Sequence, residues 1–412
     1  MKILHLTQNY FPSIGGTQHT IKKVSEYLHH NYNDEVTVYT SNSYFGPNRP
    51  QFKKINEKEE DINGIKIKRF PFLKMHKPVL KLLSKISAKG FKRSIPERLQ
   101  NLQVGPLSYS MLRAVNTADA DVIGASSIHY LFADYPVRRR FSSRPKPFVL
   151  YGALHLHSEQ LPKQYKKRIA AADYYIANTS FEKKFLIDAG FEEEKIKVIG
   201  TATDILEKAD FSINAGQIKS SYKIPKEKFV ITYIGRQETS KSIGVLIEAF
   251  INVTAKFENV CLIIAGAKGT YTNALEKNIA SHKDIYLIND ISDEQKSGIL
   301  RFSDILVLPS TEESFGVVFI EAWSFSKPVI GADIKAIASL IENEKDGLLF
   351  EPGNTKNLSQ KIELLLKDEP LRKKLGENGH KKFKENYTWD IVAAKYREVY
   401  QLAIDKFKKN KN

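Results

Sequence analysis

Two carboxylates, Glu313 and Glu321, bracket the run LPSTEESFGVVFIE at residues 308–321. Ile305 to Leu308 is an apolar run of strand length, Pro309, Ser310 and Thr311 interrupt it, and from Phe315 onward apolar residues at helical spacing announce a helix. Such a junction leaves the amides of Phe315, Gly316 and Val317, beside Ser314, as donors at a helix N-terminus, a place that attracts phosphate. A carboxylate beside a phosphate site is useful when neutral hydroxyls come with the phosphate. Glu313 would accept hydrogen bonds from a sugar attached to it, and Glu321, further into the helix, from a ribose diol. Taken in isolation, the pair reads equally as an acid favoured by the helix dipole and a solvated helical acid.

Two cations stand at a comparable junction. Phe229 to Arg236 reads as a buried-type strand with Arg236 at its carboxyl end, and Lys241 follows five residues later, ahead of a helix over 245–250. A forked guanidinium and a point-charge ammonium together suit a diphosphate. By themselves they are also an ordinary pair of surface cations. The next strand, 261–265, runs into Gly266-Ala-Lys268-Gly269, a loop fit for a nucleotide.

At the N-terminus the strand 3–7 leads through Gly15-Gly16 into a helix over 18–28; the glycines permit close backbone approach to a ligand, and they also make an ordinary turn. A strand starting at Phe148 runs toward His155 and His157, at the strand end where α/β sheets place ligands, although a structural histidine fits there too. Ser126, Ser127 and His129 follow the short strand 122–124. No metal is expected: the two histidines lack a third ligand, and Asp119-Ala-Asp121 lacks the rest of an oxygen set.

The stretch 308–321 resembles the paired-glutamate motif of the retaining glycosyltransferases of family 4, which have two Rossmann-like domains facing a cleft, the GT-B fold. Glu313, Phe315, Gly316 and Glu321 match that motif without a gap. The resemblance extends to the Gly15-Gly16 loop, to Arg236 and Lys241, and to most of the chain outside roughly 41–112. It implies that Gly16 lies against the donor phosphates, that Arg236 and Lys241 grip them, and that His155 and His129 line the reacting sugar, His129 being displaced from the family's other histidine position. The sequence departs from the family at Ser242, where a glycine is usual after the lysine, and at Thr203, where a glycine usually precedes the aspartate.

The elements that must position these groups fit two domains, since 412 residues exceed one core. The expected division is 1–204 plus 388–412, an acceptor-side domain completed by a last helix over 391–407 that crosses back to it, and 205–387, the nucleotide-sugar domain. Residues 41–61 read as a loop and 206–226 as a linker. Residues 1–200 hold 32 Lys and Arg against 18 Asp and Glu, so most of the formal +16 lies in the first half. From Lys74 to Arg98 the chain reads as a basic amphipathic helix with Lys77, Lys81, Lys85 and Lys89 in one row, suited to an anionic membrane surface or to packing on its own domain. The single cysteine, Cys261, sits in an apolar run and fits a cytosolic protein; no membrane span or leader is expected.

The expectation is therefore an α/β protein of two Rossmann-like domains (GT-B), acting as a retaining glycosyltransferase in glycan biosynthesis. The donor would be a UDP- or GDP-linked sugar and the acceptor a glycan or lipid-linked molecule, with no cofactor and no nucleic-acid partner, in the cytoplasm or on the inner face of the membrane. A sugar-nucleotide hydrolase or epimerase on the same fold, and a non-catalytic polyanion-binding protein, are the alternatives. Against the last, the basic residues lack the interleaved aromatics of single-strand binders.

Overall fold

The computed structural model describes residues 1–13, 15–45, 52–72, 107–129, 131–139, 145–154 and 161–410. The chain divides into two compact units, Met1–Gly200 with Val392–Asn412, and Thr201–Ile391.

In the first unit the described elements run β1 (Lys2–Leu6), α1 (Gly16–Tyr32), β2 (Glu35–Ser41), β3 (Ser43–Phe45), β4 (Phe52–Lys54), β5 (Glu59–Ile62), β6 (Ile65–Phe70), α2 (Tyr109–Thr117), β7 (Val122–Ser126), α3 (Asp134–Arg139), β8 (Phe148–Tyr151), α4 (Lys163–Ala171), β9 (Tyr174–Ala177), α5 (Ser180–Asp188) and β10 (Ile196–Val198). The sheet order is β10-β9-β8-β7-β1-β2-β6-β5, parallel throughout except for β5. Leu4, Leu6, Ile123 and Leu150 of the central strands lie in its core. The residues read as a loop over 41–61 contain β3 and β4, an antiparallel pair, and β5, which pairs with β6. These strands are short and polar, and charge pairing holds the edge: Glu59 stands opposite Lys68 at 3.0 Å. Charge on an edge strand also discourages pairing with other chains.

The second unit runs α6 (Ala215–Ser221), β11 (Phe229–Ile234), α7 (Ile243–Thr254), β12 (Val260–Gly266), α8 (Thr272–Ile279), β13 (Ile285–Asn289), α9 (Asp293–Phe302), β14 (Ile305–Leu308), α10 (Val317–Ser324), β15 (Val329–Ala332), α11 (Lys335–Ala338), β16 (Leu348–Phe350), α12 (Thr355–Lys367) and α13 (Glu369–Asn386). Its six strands are all parallel, in the order β13-β12-β11-β14-β15-β16. The central strands β12 and β14 are buried throughout and β11 from Val230 on, which is why they read as unbroken apolar runs. Every residue of β12 is buried, Cys261 included, and burial pushes its thiol up to about 12, so it packs as a small hydrophobe. The stretch 206–226 is not a bare linker. Asn214 and Gln217 form a capping box on α6, and Arg301 of α9 donates to the carbonyls of Asp210 and Ile213 while lying over the Phe211 ring.

The last helix, α14 (Trp389–Lys409), belongs from Val392 onward to the first unit. Tyr400 bonds His5 Nε2 at 2.8 Å, and Arg397 donates to the buried Asp34 at 2.9 Å, so the end of the chain is fastened to β1 and to the turn before β2.

Candidate functional site

In the second unit β11 and β14 are neighbours in register, Ile231 beside Ile305, so the loops at their carboxyl ends emerge side by side. They are latched: the Thr311 amide donates to the Ser240 carbonyl at 3.2 Å, and Ser310 is wholly buried beneath them. The latch brings together two residues seventy-two positions apart, because Lys241 Nζ lies 2.5 Å from Glu313 Oε1 and 3.4 Å from the Glu312 carbonyl. Their side chains are 22% and 14% exposed, enough to be reached by a ligand and too little to be an ordinary surface pair. Ser242, the departure from the family pattern, has φ 51° and itself adopts the left-handed conformation for which a glycine would be the usual choice.

Gly316 also has φ 86° and precedes α10, which has no side-chain cap on its first turn. A Cβ there would sit 2.8 Å from the Phe319 ring, so only glycine keeps the backbone and amides in this position. Phe315 is buried against Tyr387, with ring centroids 5.7 Å apart; Ser314 and Val317 are half-buried. Glu321 is not a solvated helical acid. It is 7% exposed and accepts from Lys296 Nζ of α9 at 2.7 Å, while the structure gives its Oε2 no hydrogen-bond partner among the described residues. Burial alone would depress the Lys296 ammonium, but Glu321 and Asp293 outweigh that and hold it above its ordinary value.

Arg236 is exposed and donates to Glu238 at 2.8 Å; Glu238 in turn accepts from the Thr270 hydroxyl at 2.6 Å, joining the loops after β11 and β12. Gly266, φ 136°, lies so close to the Gly235 carbonyl that no side chain fits. Lys268 is exposed, and its amide donates to Asp290 at 3.2 Å. Sequence reasoning missed Lys296, whose spacing from Asp293 looks like a surface pair, and Gln237. The buried Gln237 amide ties Asn289 to Thr272 through bonds of 2.7 Å each, fixing three strand-end loops.

In the first unit Gly16 opens α1, and a Cβ on it would meet nothing within 4 Å. His129 bonds the Tyr165 hydroxyl through Nδ1 at 2.7 Å and the Ala153 carbonyl through Nε2 at 3.2 Å, so both ring nitrogens are engaged within its own unit. His155, His157 and the basic row Lys77, Lys81, Lys85 and Lys89 lie outside the described residues. Asp119 pairs with Lys2 at 2.6 Å and Asp121 accepts the Lys2 amide at 2.7 Å. Among the described residues no group of three His, Cys, Asp or Glu is arranged for a metal. His5, buried between Ser25 and Tyr400, is pushed down to about 3 by burial and is a neutral structural residue.

Residues 215–382 match the family of Glycosyl transferases group 1. The chain is 28% identical over 239 residues to the capsular polysaccharide biosynthesis glycosyltransferase CapM of Staphylococcus aureus, covering 57% of this chain and 62% of that one. Across three curated relatives the shared region spans between 48% and 62% of their own length. Among solved structures, Anabaena HepE in complex with UDP and glucose superposes with a TM-score of 0.71 at 18% identity, over 97% of this chain and 99% of that one. Sucrose-phosphate synthase from Thermosynechococcus elongatus gives 0.72 at 16% identity, over 98% and 99%. At these identities the structural likeness concerns the fold. Residues 215–382 thus match the Glycosyl transferases group 1 family, and the chain as a whole has the two-unit α/β fold seen in GT-B glycosyltransferases.

Proposed function

We propose that this protein transfers a sugar from a nucleoside diphosphate donor to an acceptor hydroxyl with retention at the anomeric carbon. The observation that carries the reading is the Lys241–Glu313 pair beside the start of α10, with the buried Glu321 carboxylate further along the same helix. Lys241 has three N–H donors, and a diphosphate would take those that Glu313 and the Glu312 carbonyl leave over. Arg236 and the amides of Phe315, Gly316 and Val317 add to that cluster. As the bond from the anomeric carbon to the phosphate oxygen breaks, negative charge grows on the departing diphosphate, and these donors would offset it. Positive charge grows on the sugar, and Glu313 is assigned to hold its hydroxyls and offset that charge. The acceptor oxygen bonds the anomeric carbon on the face the phosphate leaves, and its proton passes to the departing phosphate oxygen. Glu321, through Oε2, is assigned to the ribose.

Relatives support the finer reading. CapM's name places it in capsular polysaccharide synthesis, and HepE holds UDP and glucose; we take a UDP-sugar in preference to a GDP-sugar as the donor and a glycan or lipid-linked molecule as the acceptor. The family resemblance assigns Gly16 to the phosphates and His155 to the sugar. The basic stretch 74–98 is assigned to an anionic membrane face. No helix among the described residues is long and apolar enough to cross a membrane. The test is turnover of UDP- and GDP-sugars with and without a glycan acceptor, with the anomeric configuration of the product read by NMR. Transfer with retention supports the proposal; release of free sugar unaffected by any acceptor, or no turnover, contradicts it.

A further inference from the structure

In the first unit β8 lies between β7 and β9, and the peptide through which the chain leaves it is held from both sides. Ala153 has φ 51°, a left-handed conformation that costs an alanine about 1 to 2 kcal/mol. The peptide that follows is bonded at both polar groups by side chains. Its carbonyl, that of Ala153, accepts from His129 Nε2 at 3.2 Å, and its N–H, that of Leu154, donates to Glu182 Oε1 at 3.3 Å. His129 comes from the loop after β7 and Glu182 from α5 after β9, so each strand beside β8 supplies one side of the clamp.

Both clamping groups are fixed in turn. A carbonyl can only accept, so His129 Nε2 carries the hydrogen, and in the neutral ring Nδ1 accepts from Tyr165 at 2.7 Å. The Arg168 guanidinium, paired with Asp134, donates to the Ile128 carbonyl next to His129. Glu182 is 2% exposed and accepts from Tyr175 at 2.5 Å and from the Asn178 amide at 2.7 Å as well as from Leu154. Gly152 leaves no room for a side chain between itself, Tyr175 and Glu182. An ionised carboxylate is the group that accepts three such donors without a proton of its own in the way. The titratable groups facing it, Tyr175, Tyr151 and Tyr396, are phenols, and no cation among the described residues bonds it. Burial pushes Glu182 up to about 7, against the hydrogen bonds from Tyr175, Asn178 and Leu154, so its charge changes in the neutral range.

We propose that Glu182 and His129 are positioning residues that fix the Ala153–Leu154 peptide, and thereby the direction in which the chain leaves β8, for sugar transfer. This rests on the transferase reading above, under which the next residue in sequence, His155, faces the sugar. Neither group acts on the substrate in this assignment, so the effect falls on turnover and not on nucleotide binding.

The test uses the full chain with Glu182→Gln, His129→Leu and His129→Gln, measuring kcat, KM for the donor, UDP affinity and hydrogen exchange of the Leu154 amide across the neutral pH range. Glu182→Gln and His129→Leu are expected to lower kcat about 10- to 100-fold, the range for one lost hydrogen bond to a charged or otherwise unsatisfied group, with UDP affinity unchanged. His129→Gln, whose amide nitrogen takes the place of Nε2, regains most of the loss. Wild-type kcat falls on the acid side of about 7 as Glu182 takes up a proton, and Glu182→Gln lacks that limb while exchanging the Leu154 amide faster. Full kcat with an unchanged acid limb in Glu182→Gln, a parallel loss of UDP affinity, or His129→Gln no better than His129→Leu overturns the assignment. A wild type that transfers no sugar overturns the transferase reading as well, so the two failures are distinct.

Discussion

Replacing Lys296 with methionine removes a charge while keeping most of the side chain's length, and leaves the Glu321 carboxylate without its counterion. The pair stands at 2.7 Å with side chains 20% and 9% exposed, so water screens it only partly. At an effective dielectric of about 20, the gross attraction at this distance is roughly 6 kcal/mol, most of it offset by the cost of burying both charges. Removing one partner of a buried pair costs about 3 to 5 kcal/mol, and the partial exposure of Lys296 argues for the lower end. Asp293, 3.3 Å from Lys296 and 62% exposed, contributes little. The sign follows from the raised Lys296 value: the contribution is complete below the unfolded 10.5 and fades as pH rises through the higher folded value, so it operates fully at neutral pH. Urea denaturation of the wild type, Lys296→Met, Glu321→Gln and the double variant gives the cycle, and UDP affinity is measured on the same four proteins. Lys296→Met should lose about 3 kcal/mol, the double variant should recover much of it, and UDP should bind about tenfold more weakly to Lys296→Met. A Lys296→Met protein as stable as wild type, or strictly additive effects, would rule out a stabilising Lys296–Glu321 pair.

Gly316→Ala should destabilise the second unit by about 1 to 2 kcal/mol or more, because φ 86° is left-handed and the new methyl meets Phe319; a thermal melt within error of wild type would contradict the loop geometry. For Glu182 the folded value of about 7 exceeds the unfolded 4.5, so the folded state holds the proton more tightly. Stability from this group is greatest below 4.5 and declines by on the order of 3 kcal/mol as pH rises to 7, staying flat above; Glu182→Gln should lose this slope in pH-dependent denaturation. Reversing Lys77, Lys81, Lys85 and Lys89 to Glu should nearly abolish co-sedimentation with anionic liposomes, at about 1 kcal/mol per lysine, and equal wild-type binding to neutral liposomes would remove the membrane assignment.

The parts of the fold legible in the sequence are those in which burial acts on contiguous residues. The strands at 229–234, 260–266 and 305–308 are covered on both faces and so appear as unbroken apolar runs. The loops that carry the candidate site are legible to the same extent. Arg236, Lys241, Glu313, Gly316 and Glu321 each sit on one strand-end loop or the helix that follows it, where residue type and local spacing carry the signal. Pairings made by topology are invisible to spacing. Lys296 meets Glu321 only because α9 and α10 flank β14, and Glu182 meets the Leu154 amide only because β8 and β9 are adjacent. The strands β3, β4 and β5 look like loop in the sequence because their partners compensate through charge and backbone, with little apolar alternation to see.

The role proposed for Glu313 is to act on the sugar and not on the helix. Glu313→Gln keeps the side chain's shape and removes its charge, and transfer rate and UDP affinity measured together separate the two roles. If the carboxylate offsets charge developing on the sugar, Glu313→Gln lowers the transfer rate by about 100-fold or more while UDP, which has no sugar for Glu313 to hold, binds nearly as before. If Glu313 only favours the start of α10, the change costs at most about 1 kcal/mol of stability and transfer continues at the wild-type rate, which would contradict a role on the sugar.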